Sequence, residues 1–138
     1  MGFFSNIFKK SSFYESEYTV KDIMPIAQVI GAHANWKARM NKFMEGTLGY
    51  QLDPEVLSQS NETELGRWIL QADEEEKSGE KRELLKQIHD ANAELHAVAS
   101  EIASAIQGGR QQDISKLNDR FQEIAKNLLL KLLDYSKR

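Results

Sequence analysis

From Leu85 to Ile106 apolar residues return every three or four positions: Leu85, Ile88, Leu95, Ala99, Ile102 and Ile106 share one helical face. Asn92 falls on that same face, and His96 stands one turn after it. An unpartnered buried polar group costs about 1–3 kcal/mol, so an amide and an imidazole beside an apolar seam need partners. Those partners are expected on other helices. The pattern predicts a helical bundle with a small polar site inside it.

The rest of the chain agrees with an all-α protein. At 138 residues it makes one domain with a real core, and its two prolines and eight glycines fall mostly between the helical patterns. Cysteine is absent, which removes disulfides, thiol nucleophiles and thiolate ligands and fits a reducing cytoplasmic setting. A net charge of −3 from mixed signs leaves no basic stripe for nucleic acid. No apolar run reaches the roughly 20 residues that span a bilayer.

Residues 1–18 form an aromatic-rich tail or short helix, set apart from a bundle over 19–138. Phe4, Ile7 and Phe8 followed by Lys9 and Lys10 would allow a weak membrane-surface contact; packing on the chain's own domain or on a partner is the plainer reading. The first long helix is expected over about Asp22 to Glu45, with Asp22 as its cap, Pro25 in its first turn and Gly46 and Gly49 as its stop. His33 is the titratable group on its inner face. After a loop and a short turn at Glu55–Leu57, Ser60 or Asn61 would cap a short helix with Glu62 and Glu64 in its first turn. Gly66 inside that helix costs about 1 kcal/mol against alanine and signals a close neighbouring backbone or ring.

Asp73–Glu80 reads as a solvated charged connection. The third main helix is expected over about Lys81–Ile106, ended by Gly108 and Gly109, and the fourth over about Gln112–Tyr135. Leu129, Leu130, Leu132 and Leu133 widen the fourth helix's apolar surface beyond one seam. A homodimer would use that excess, and so would packing against the N-terminal tail.

The chain carries no phosphate loop, no Ser-His-Asp order, no zincin motif and no Glu-x-x-His pair, so no enzyme chemistry is supported. Its histidines are His33, His89 and His96. His89 and His96 lie about 10 Å apart along a helix, too far to share a metal ion easily.

Three stretches stand in order: Ala32-His33-Ala34-Asn35-Trp36, then Thr63-Glu64-Leu65-Gly66-Arg67-Trp68, then Asn92 with His96 four residues on. Together, over roughly residues 26–135, they resemble the chemoreceptor zinc-binding (CZB) domain family. Its members carry His-x-x-Trp, then Cys-x-Leu-Gly-Lys/Arg-Trp, then His-x-x-x-His. The resemblance implies an antiparallel four-helix bundle, a role in signal transduction and chemotaxis, dimerisation, and zinc held by those histidines and the cysteine. Carried over, His33 and His96 are retained ligands, whereas Thr63 stands at the cysteine position and Asn92 at the middle histidine. A hydroxyl and a carboxamide are poor zinc ligands.

Two readings stay open. In one, His33, Thr63, Asn92 and His96 form a metal-free hydrogen-bonded cluster. In the other, His33 and His96 keep zinc or another divalent ion, with Glu62, Glu64 or His89 as substitute ligands. With no output domain in the sequence, the expected role is a non-enzymatic sensory or interaction module acting through a separate partner, such as a chemoreceptor or a diguanylate cyclase.

Overall fold

The computed structural model describes residues 25–76 and 79–138. The expected tail over 1–18 and the Asp22 cap lie outside the described residues. Among those described, the chain is all-helical: α1 (Ile26–Glu45), α2 (Pro54–Leu57), a 3-10 turn (Ser60–Glu62), α3 (Glu64–Glu75), α4 (Gly79–Gln107) and α5 (Gln111–Ser136). No described helix is long and apolar enough to cross a membrane.

α4 and α5 form an antiparallel hairpin. Glu94 meets Arg120, Gln87 meets Lys131 and Glu80 meets Arg138, so numbers fall along one helix as they rise along the other. The turn between them closes with Gly109 at φ 71° and with the Arg110 amide donating to the Ala105 carbonyl. Leu85, Ile88, Leu95, Ala99 and Ile102 are fully buried, as their spacing requires. Leu84, Val98 and Ala103 are buried too, because α4 packs on more than one side. On α5, Phe121, Leu128 and Leu132 join the core, whereas Leu129, Leu130 and Leu133 remain exposed. Leu132 therefore belongs to the seam, not to the outer leucine surface.

Two other boundaries differ from expectation. Pro25 is the N-cap of α1, not a first-turn residue, and its carbonyl accepts from the Gln28 and Val29 amides. Thr63, not Ser60 or Asn61, caps α3, and the preceding three residues wind as the 3-10 turn. The acidic stretch is only partly a solvated connection. Asp73–Glu75 complete α3, and Glu76 accepts from the Tyr135 hydroxyl at 3.1 Å and lies 3.4 Å from Lys81. Burial, with Glu76 alongside, pushes the Tyr135 phenol above its ordinary range. Trp68 meets the Tyr135 ring edge-on at 5.2 Å, which ties the end of α5 to α3.

Candidate functional site

His33, Asn92 and His96 are the polar side chains buried within this core. His33 comes from α1, and the other two lie one turn apart on α4. The Trp36 ring neighbours both imidazoles, its centroid 4.3 Å from that of His96 and 6.2 Å from that of His33. A chamber of about 120 Å³ is walled by His33, Trp36, Arg39, Thr63, Glu64 and His96 among others.

The buried polar residues of α4 bond to the connection between α1 and α3. His96 Nδ1 is 2.9 Å from the Leu57 carbonyl, and Asn92 Nδ2 is 3.5 Å from that of Ser60. The same face continues: Ser100 donates to the Pro54 carbonyl at 2.7 Å and Gln107 to that of Leu52 at 3.1 Å. As the connection advances from 52 to 60, its partners on α4 retreat from 107 to 92. Four side chains thus fasten this segment as an antiparallel strap along the helix. Each bond adds about 1 kcal/mol, and the Pro54 carbonyl also accepts the Ser58 amide that closes α2. Ser100 and Gln107 were not singled out from sequence, although the polar spacing 92, 96, 100 was visible there.

Thr63 sits where the strap ends. Its hydroxyl donates to the Ser60 carbonyl at 3.1 Å and accepts the Gly66 amide at 3.0 Å, an N-cap bond that starts α3. Gly66 is buried against this turn, where a side chain would run into the Ser60 carbonyl and lie 2.7 Å from the Asn61 Cα. The close neighbour that this glycine announces is thus the backbone of the 3-10 turn.

The four candidate positions gather in one region, yet their bonds run to the strap and do not close among themselves. His33 Nε2 and Asn92 Oδ1 are buried with no hydrogen-bond partner. At His96 a carbonyl can only accept, so Nδ1 carries the proton and the neutral ring presents Nε2 as a lone pair. Burial holds both imidazoles below their ordinary range. His33 falls to about 4, with the His96 and Lys37 charges adding to the effect, while the bond to Leu57 partly offsets burial at His96.

The substitute ligands separate. Glu64 lines the chamber with both histidines, while Glu62 lines a neighbouring space of about 240 Å³ that also reaches His96. Glu62 also pairs with Arg67 at 4.0 Å. His89 faces a different cavity, between α3 and α4, beside Asp73, Arg82 and Lys86. Among the described residues, no three His, Asp or Glu side chains converge as a metal-holding group. No protein-family model, curated protein or solved structure matches this chain.

Proposed function

We propose that the chain is a cytoplasmic, non-enzymatic sensory or interaction module of the chemoreceptor zinc-binding type. In this reading α1, α3, α4 and α5 make an antiparallel four-helix bundle, and hydrogen bonds replace the zinc cross-link. The observation that carries it is what the two exchanged ligand positions do. Thr63 has its hydroxyl engaged on both sides, and Asn92 directs its amide nitrogen to the strap. Both fasten backbone where the resembled family would hold metal. A structural zinc takes four ligands from thiolate, imidazole and carboxylate, and the side chains gathered here do not fit that set. A signal would then pass as a shift of α1 against α4 and the strap, read by a partner such as a chemoreceptor or a diguanylate cyclase.

One specific observation favours a second reading, a divalent-metal sensor at His33 and His96. The His33 Nε2 atom lacks a partner, and His96 donates its other nitrogen to a carbonyl, as metal-bound histidines commonly do. Metal content by elemental analysis decides between the two, followed by calorimetric titration of zinc into chelator-treated wild type and the His33→Ala, His96→Ala double variant. The metal-free reading expects no stoichiometric metal and no heat above background. Stoichiometric binding that the double variant loses would overturn it in favour of the metal sensor.

For the homodimer we propose the α5 surface bearing Leu129, Leu130 and Leu133, each at least 38% exposed. Sedimentation should show a concentration-dependent dimer that Leu130→Asp with Leu133→Asp converts to monomer. A wild-type monomer at every concentration would remove the dimer from the proposal.

A further inference from the structure

The exposed side of α5 carries a charge order as well as leucines. Successive residues turn by about 100° around a helix, so Glu123, Lys126, Asp134 and Lys137 all fall within about 40° of Leu130. All four are exposed, and Leu130 itself is 54% exposed. Phe121, Leu128 and Leu132 occupy the opposite side of the helix and are buried in the core. Leu130 is therefore the middle of an outward stripe that runs acid, base, leucine, acid, base. Among the described residues Glu123, Lys126 and Lys137 make no ion pair, and Asp134 makes only an exposed one with Arg138 of its own helix, at 3.4 Å.

We propose that the homodimer forms with its two α5 helices antiparallel and Leu130 on the two-fold axis. The inference rests on the α5 homodimer proposed above and deepens it by fixing orientation and register. In an isologous contact the position of the axis decides which residues meet. With antiparallel helices centred on Leu130, Glu123 stands level with the partner's Lys137, seven residues to either side. Lys126 stands level with the partner's Asp134, four residues to either side. Opposite charges therefore meet at both levels, on both halves of the interface. Parallel helices would instead set each of the four charges level with its own copy. Moving an antiparallel axis to Lys126 puts that lysine against itself, and moving it to Leu133 forms neither pair. Exposed ion pairs add little affinity, so burial of Leu130 and Leu133 drives association while the charges choose the orientation.

Because the sequence has no cysteine, single-cysteine variants of the full chain read the register directly. Glu123→Cys and Lys137→Cys change exposed positions and should leave the fold intact. Each is treated with a short bismaleimide, alone and as an equal mixture. The antiparallel arrangement expects a covalent dimer from the mixture and none from either variant alone, whose thiols would lie about 21 Å apart along the axis at 1.5 Å per residue. Sedimentation supplies a second readout. Glu123→Lys should weaken the dimer about fivefold, and adding Lys137→Glu should restore it. Parallel helices would instead give covalent dimers from each variant alone. That result, a mixture that does not cross-link while sedimentation still shows a dimer, or failure of Lys137→Glu to rescue would each overturn the proposal. Such a failure stays distinct from failure of the homodimer itself, which a wild-type monomer would show and which would remove this arrangement with it.

Discussion

Gly66→Ala is expected to lower the unfolding free energy by about 3 kcal/mol, a large loss for a single added methyl group. The added Cβ would overlap the Ser60 carbonyl and press on the Asn61 Cα, and both belong to backbone. A flexible side chain could swing aside, but these atoms move only if the 3-10 turn lifts away from α3. That displacement would stretch the Gly66–Thr63 cap bond and draw the Ser60 carbonyl from Asn92. Gly31→Ala is the matched control. It lies in the interior of α1 with nothing near its added carbon, so alanine there should stabilise by about 0.5–1 kcal/mol. Denaturant melts of both variants check the pair. Equal and small effects would mean that the strap does not press on α3.

The Gly66 contact also separates what the sequence made legible from what it did not. Long helices were readable because α1, α4 and α5 each repeat apolar residues at helical spacing, and burial follows that spacing closely. Burial of Asn92 and His96 followed in the same way, from their places beside the seam. A tight neighbour at Gly66 was also readable, since glycine costs stability inside a helix unless space forbids a side chain. What was not readable is the path of the strap. Its carbonyls meet side chains 32 to 55 positions away in sequence, and nothing local in Leu52–Ser60 encodes those pairings.

For the same reason, the four candidate residues were expected to satisfy one another. Donor and acceptor inventories balance for such a cluster, but the strap carbonyls compete for the donors and obtain those of Asn92, His96 and Thr63. The polar atoms left over, His33 Nε2 and Asn92 Oδ1, are the consequence. Leu132 illustrates a smaller limit. Four leucines among five positions show a broad apolar face, but only packing against α4 decides which of them the core takes.

Acidification should loosen the protein between pH 6.5 and about 4, before carboxylate protonation dominates. In the unfolded chain His33 takes a proton near its ordinary 6.5, whereas in the folded chain burial, with the His96 and Lys37 charges, delays this to about 4. Above 6.5 the ring is neutral in both states, and its contribution to stability is fully present. Below 6.5 the unfolded chain binds the extra proton, so stability falls as pH falls until the folded ring titrates as well. For His33 alone the loss is on the order of 3 kcal/mol across the window. His96 is displaced in the same direction, so it steepens the slope and does not cancel it. Denaturant melts from neutral pH down to about pH 4 give the curve, and His33→Gln should flatten it by removing one of the two protons. The structural consequence would centre on the strap. A second proton on His96 leaves its Nδ1–H bond to Leu57 in place but puts two cations, one on α1 and one on α4, near the same Trp36 ring, and the simplest relief is separation of α1 from α4. Wild-type stability that stays level from pH 7 to 5 would mean that His33 is not held neutral in the core.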